Sequence, residues 1–187
     1  MARWEPDAAG RLREAAMDLY VERGFEQTTV AEIAQRAGVT ARTFFRHYAD
    51  KREVLFAGSA DLRNALTQAI AGAPATASPM RAVALALDAA AAVLGRRHAF
   101  SRRRQGIIDA NPELRERELI KMDTLAAAMA GALRDRDVPG PAATLAAEAG
   151  IVVLRVAFER WVSTPHPTDL TPLMRETLTD LTAILDR

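Results

Sequence analysis

Residues 28–48 read TTVAEIAQRAGVTARTFFRHY, and the spacing within them describes two short helices joined by a tight turn. Val30, Ile33 and Ala34 recur at helical intervals, with Thr28 or Thr29 placed to cap the start. Ala34 is small where a second helix must cross closely, and Gly38 follows where the chain turns and a positive φ is cheapest. Val39 and Phe44 supply apolar anchors for the next helix, about Thr40–Tyr48, in which Phe44 and Tyr48 pack inward as a pair. A small residue, a glycine four on and an apolar residue six after that is the spacing of a helix-turn-helix. Thr40, Arg42, Thr43, Phe45, Arg46 and His47 are more than packing requires. From Arg36 to Arg52 five basic residues (Arg36, Arg42, Arg46, Lys51, Arg52) face one acidic residue, Asp50, for a local net charge of +4. Arginines and hydroxyls on one short helix suit base edges and phosphates in a major groove. A helical hairpin with solvated arginines would present the same residues.

Outward from this stretch, the sequence predicts an all-α chain. Period-two alternation is absent, alanine and leucine dominate, and about nine helices are expected. The first starts at Pro6–Asp7 and ends at Gly24, with Leu12, Ala16, Leu19 and Tyr20 inward and Phe25 plugging the space below. Asp50 is read as the cap of a long helix from Lys51 through Val54, Leu55, Leu62, Leu66 and Ile70. GAPATASP (72–79) is the clearest linker. Helices are then expected over Met80–His98, Ser101–Asp109, Pro112–Arg136 (capped by Asn111), Ala142–Ser163 and Leu170–Leu185, with turns at VPGP (138–141) and TPHPTD (164–169).

Composition narrows the function classes. With no cysteine among 187 residues, disulfides and thiolate metal sites are excluded. No uninterrupted apolar run approaches the ~20 residues of a bilayer span, and the N-terminus has no leader-like apolar core, so a cytoplasmic protein away from membranes is expected. The total charge is only +1, so nucleic-acid binding rests on the local cluster. His47, His98 and His166 are scattered, no metal-ligand spacing, nucleophile elbow or phosphate loop is present, and no catalysis, metal or cofactor is expected. His98 and His166 read as surface residues. A second basic cluster, Arg96, Arg97, Arg102, Arg103 and Arg104, is a solvated helix end, a site for an anionic ligand, or a contact with DNA or the first domain.

Ala15-Ala16, Leu19-Tyr20, Gly24-Phe25, Thr28-Thr29-Val30, Ile33-Ala34, Ala37-Gly38-Val39-Thr40 and Thr43 to Tyr48, followed by Lys51 and Leu55, resemble the N-terminal domain of TetR-family transcriptional regulators. The resemblance implies a three-helix DNA-binding domain over residues 1–50 and a helical effector-binding and dimerisation domain over 51–187. It implies that Thr28 and Thr29 touch phosphate, that Thr40, Arg42, Thr43 and Arg46 face bases or the groove edge, and that Phe45, His47 and Lys51 clamp the backbone. Relatives usually carry tyrosine where Phe45 stands; phenylalanine offers only apolar contact to sugar or a thymine methyl. Many carry a small residue where Arg42 stands, so Arg42 adds a base contact of its own.

Arg102-Arg103-Arg104, NPELRERE (111–118) and AFERWV (157–162) resemble a subgroup of regulators linked to acyl-CoA-type ligands. Phe100, Met122, Met129, Phe158 and Trp161 either line an apolar cavity or form plain core, and Gln105, Asp109 and Arg155 are polar candidates for orienting a ligand there, alongside Asp88 and Glu159. Ala143, Ala146, Ala147, Gly150, Val153 and Ala157 form a small-residue stripe, matched by Leu173, Leu178, Leu181 and Leu185 on the last helix. By resemblance these helices pair across a two-fold axis in a homodimer; packing inside one subunit is the alternative. The expected function is a ligand-responsive repressor that binds a palindromic double-stranded operator, with an apolar, acyl-CoA-like effector. The rivals are a constitutive or partner-controlled regulator and a small-molecule-binding protein with a vestigial DNA-binding domain.

Overall fold

The computed structural model describes residues 7–165 and 169–185, and among these every regular element is helical. Nine α-helices run in order: α1 (Ala8–Arg23), α2 (Val30–Arg36), α3 (Ala41–His47), α4 (Ser59–Ala71), α5 (Pro79–Leu94), α6 (His98–Ala110), α7 (Pro112–Arg134), α8 (Gly140–Ser163) and α9 (Leu170–Leu185). A 3-10 turn, Gly95–Arg97, joins α5 to α6. His166 and part of the expected TPHPTD turn lie outside the described residues.

The chain divides into two compact units, residues 1–57 with 103–118, and residues 58–102 with 119–187. The expected boundary after residue 50 therefore moves to residue 57, and a segment from mid-chain joins the first unit. The reason lies in residues 51–58. Asp50 does accept the amides of Arg52 (2.8 Å) and Glu53 (3.1 Å), as a cap should. A run of tight turns comes next, in which Leu55, Phe56 and Ala57 donate to carbonyls three residues back. Gly58 then adopts φ 98°, outside helical space, and α4 begins only at Ser59. The long helix expected from Lys51 does not form.

In the first unit, α1 is started by Asp7, whose carboxylate accepts the Gly10 amide at 2.8 Å. Leu12, Ala16, Met17, Leu19, Phe25, Ile33 and Phe44 are buried, as are Val54, Leu55 and Phe56 in the turns and Ile107, Ile108 and Leu114 from the mid-chain segment. Two tyrosines tie the elements together: Tyr20 Oη donates to the Lys51 carbonyl (2.6 Å), and Tyr48 Oη donates to the Ala9 carbonyl (3.0 Å). Burial pushes both phenols up, so they remain protonated donors.

In the second unit, α5 is central and packs against α4, α8 and α9. GAPATASP is a turn inside this unit: Ser78 caps α5 through the Arg81 amide (3.2 Å), Pro79 is its first residue, and Arg136 donates to the carbonyls of Ala73 (2.8 Å) and Pro74 (2.7 Å). The small-residue stripe of α8 faces this core. Ala143, Ala146, Gly150, Val153 and Ala157 are all buried within the one chain, so their side chains are not available to a second copy, and the expectation that they form a dimer interface is corrected. Leu178 and Leu181 are partly buried against the same core. Small residues here let α8 approach its own neighbours: a Cβ at Gly150 would sit 2.7 Å from Val83 Cγ1 and 3.0 Å from Met129 Cε. Gly150→Ala is expected to cost about 1–2 kcal/mol despite alanine's better helix propensity, read as a lower urea midpoint. An unchanged or raised midpoint would show that α8 stands off from Val83.

The outward side of α8 is apolar too. Leu145 (72% exposed), Val152 and Val156 lie uncovered along it, and Ile184 (71%) is uncovered on α9. α8 is long and apolar enough to cross a membrane, but half of that character belongs to the core and Glu148, Arg155, Glu159 and Arg160 interrupt the rest.

Candidate nucleic-acid interface

α2 and α3 have the bounds their sequence dictates. Thr29 caps α2 in a reciprocal box: its Oγ1 accepts the Glu32 amide (3.3 Å) while Glu32 accepts the Thr29 amide (2.9 Å). The Thr29 amide bond holds the Glu32 carboxyl below the usual carboxylate range. Thr40 caps α3 through the Thr43 amide (3.2 Å), and the two threonine hydroxyls lie 3.1 Å apart. Gly38 between the helices takes φ 68°. Phe44 is fully buried, with Tyr48 tilted against it at 5.6 Å between ring centres.

The basic residues of this stretch separate into spent and free. Arg36 makes two bonds to Glu22 (3.0 and 2.8 Å), which hold the Glu22 carboxyl low and the guanidinium high. Arg52 is folded onto Asp50 at 2.6 and 3.1 Å. Lys51 turns inward. Its ammonium donates to the carbonyls of Phe25 (2.9 Å), Glu26 (3.1 Å) and Thr28 (3.1 Å) and sits 4.3 Å from the Phe25 ring centre. All three of its protons are thus used on the loop that leads into α2, which leaves none for the phosphate role expected of it. Thr28 is corrected likewise: it is 1% exposed, and its hydroxyl donates to the Gly24 carbonyl at 2.8 Å. Arg42, Arg46 and His47 remain exposed on α3. Phe45 beside them is 58% exposed, its ring edge-on to Phe44 at 5.5 Å. Arg42, Phe45 and Arg46, three and four apart, share one face.

The mid-chain segment brings three arginines to the same unit. Arg103 pairs with Asp18 on α1 (2.7 Å), and Arg117 makes two bonds to Glu53 (2.8 and 2.6 Å). Arg104 donates to the Leu55 carbonyl (2.7 Å) and to Glu118 (3.0 Å) and lies 5.0 Å from the Phe56 ring centre. Burial pushes its pKa down, with Glu118 opposing the shift. Of the three readings of the Arg96–Arg104 cluster, contact with the first domain therefore holds for Arg103 and Arg104, while Arg96, Arg97 and Arg102 are exposed. Sequence reasoning missed Arg117 and Glu53 altogether; their partnership spans 64 residues and has no local signal.

The expected ligand residues do not gather in one unit. Gln105 and Asp109 belong to the first, where Gln105 donates to Asp109 (2.9 Å) and Glu118 (3.3 Å). Phe100, Met122, Met129, Arg155, Phe158 and Trp161 belong to the second. There Met129 and Trp161 are fully buried in the core, Phe158 packs against Trp161 with ring centres 5.7 Å apart, and Arg155 is exposed. His98, expected at the surface, is half-buried. Its ring stands edge-on to Trp161 at 4.7 Å, and its Nε2 donates to the Trp161 carbonyl at 3.0 Å.

Two family models match successive parts of the chain, and the second includes the mid-chain segment 103–118. Residues 12–57 match the family described as bacterial regulatory proteins, tetR family, and residues 77–186 match the MftR C-terminal domain. The HTH-type transcriptional regulator TcmR of Streptomyces glaucescens is 38% identical over 86 residues, 46% of this chain, and the match spans 37% of TcmR's length. The fold is shared with FadR of Bacillus subtilis, solved in complex with stearoyl-CoA (TM-score 0.65, 20% identity, 92% of this chain and 96% of that one). It is shared also with a putative TetR-family regulator of Mesorhizobium loti (TM-score 0.61, 18% identity, 96% and 95%).

Proposed function

The chain belongs to the TetR family of bacterial regulatory proteins, and from that membership we propose that it acts in the cytoplasm as a homodimeric, effector-responsive repressor reading a palindromic operator through α3. One observation carries the reading. Every other basic side chain from Arg36 to Arg52 is paired inside the unit, whereas Arg42 and Arg46 stand exposed on one face of α3. A protein that merely solvated its basic side chains would have no reason to engage Arg36, Lys51 and Arg52 and leave Arg42 and Arg46 together on the helix-turn-helix's second helix. Each arginine can take a guanine edge bidentately or a phosphate. His47 and the Thr29 end of α2 supply flanking contacts to the backbone.

A seven-residue helix reads too little DNA alone, and a second copy doubles the reading. The outward face of α8, with Leu145, Val152 and Val156, and Ile184 of α9 are the apolar surface such a copy would cover. The effector is an amphiphile of the acyl-CoA class, supported by the shared fold with FadR and by the exposed Arg96, Arg97 and Arg102 as partners for its phosphates. The expected lever, a helix continuous from Lys51, is replaced. α6 and α7 each have residues in both units, and Arg103, Arg104 and Arg117 fasten their shared end to α1 and to the turns that follow α3. An effector that prefers the arrangement unfit for DNA then lowers operator affinity by its differential binding.

The test is selection of bound duplexes from a random pool at two salt concentrations, repeated with C12 and C18 acyl-CoA present. A palindromic enriched site, occupied by two 20.3 kDa protomers and weakened by acyl-CoA, is expected. An enriched site indifferent to every acyl-CoA would favour the constitutive regulator. No enrichment at either salt would remove the DNA-reading role.

A further inference from the structure

We propose that Phe45 is a specificity-determining residue that reads the 5-methyl group of one thymine in each operator half-site. The inference rests on the DNA-binding reading above and adds to it what the apolar member of the α3 face recognises.

Phe45 is out of place by the rules that govern the rest of its unit. The other aromatic side chains of α1 to α3 and the following turns (Tyr20, Phe25, Phe44, Tyr48 and Phe56) are buried, yet Phe45 is 58% exposed. Phe44 next to it faces the core and is fully buried. The ring has one aromatic neighbour. It stands edge-on to Phe44 at 5.5 Å and 82°, a favourable aromatic arrangement that biases the direction in which it projects. It lies on the same arc of α3 as the exposed Arg42 and Arg46, about 60° to one side of Arg42 with Arg46 about 40° to the other, so a groove that receives the two guanidiniums receives the ring beside them.

Without a hydroxyl the ring cannot donate to a phosphate, so its recognition must be apolar. In the major groove one base edge presents an apolar group, the C5-methyl of thymine. A sugar contact would also be apolar, but it is blind to the base. The two possibilities differ in one measurable respect, the response to removing that methyl and nothing else.

The experiment takes the selected operator and replaces each thymine singly by deoxyuridine, measuring the affinity of the full-length protein and of Phe45→Ala. Covering one methyl is worth about a fourfold change in Kd. At one thymine position per half-site the wild type is expected to prefer thymine over uracil about fourfold, and about sixteenfold when both half-sites are changed. Phe45→Ala, which removes an exposed ring and keeps a strong helix former, is expected to bind the operator more weakly and to treat the two bases alike there. Equal wild-type affinity for every uracil-substituted operator overturns the proposal and puts the ring on sugar. Thymine preference that persists in Phe45→Ala overturns it by assigning the methyl to another residue. Failure to select any operator overturns the DNA-binding reading and this inference together, and is recognised before any uracil is introduced.

Discussion

Replacing Arg104 with methionine is expected to destabilise the protein by about 2–4 kcal/mol, the largest loss from any single charge here. The side chains of Arg104 and Glu118 are 16% and 20% exposed, so each has surrendered most of its water. Methionine fills the stem's volume but leaves the Glu118 carboxylate with only Gln105 at 3.3 Å and takes the 2.7 Å donor from the Leu55 carbonyl. The cost is that of an uncompensated buried charge, so removing the charge as well should restore most of it. Arg104→Met with Glu118→Met is expected to lie within about 1 kcal/mol of wild type. Urea denaturation of the four proteins in a double-mutant cycle checks this. A single variant as stable as the wild type would mean the pair is solvated in solution. A double variant no better than the single would place the loss in the Leu55 contact.

The second large effect is expected at Lys51. Lys51→Met should cost about 2–3 kcal/mol, because three carbonyls at the entry to α2 lose a charged donor in one step. Arginine should not rescue it, since a planar fork cannot point three donors at three carbonyls converging on one nitrogen. The salt dependence of operator binding separates this internal role from a phosphate clamp. If Lys51 neutralised one phosphate per protomer, its loss would lower the slope of log K against log salt by about 1.8 for a dimer. An unchanged slope with weaker binding is expected. A slope reduced by that amount would return Lys51 to the DNA.

These two residues also mark where the sequence stopped being informative. The bounds of α2 and α3 were legible because Thr29, Glu32, Gly38 and Thr40 act within four residues of themselves. Which charges are free was not legible. Arg36 finds Glu22 across 14 residues, Arg103 finds Asp18 across 85 and Lys51 reaches carbonyls more than 20 residues back. A count of +4 over residues 36–52 weighs Arg36 and Lys51 equally with Arg42 and Arg46. The α8 stripe failed for a related reason. Small residues at helical spacing announce close approach, but Val83 and Met129 of the same chain meet Gly150, a fact that no periodicity contains. The expected helix from Lys51 was a misjudged local signal, for the Gly58 that ends the run of turns is present in the sequence.

The discontinuity of the first unit has a consequence for how the protein is born. The part of the first unit that ends at residue 57 leaves the ribosome before the mid-chain segment, yet the arginines that brace it, together with Ile107, Ile108 and Leu114, are not all made until residue 118. At ~5–20 residues per second the nascent helices wait roughly 3–12 seconds for their missing third side. During that interval Glu53 has no Arg117, the Leu55 carbonyl has no Arg104, and any apolar surface destined for Ile107 and Ile108 is open to nascent-chain chaperones. A fragment cut after Ala57 would be frozen in that unfinished state.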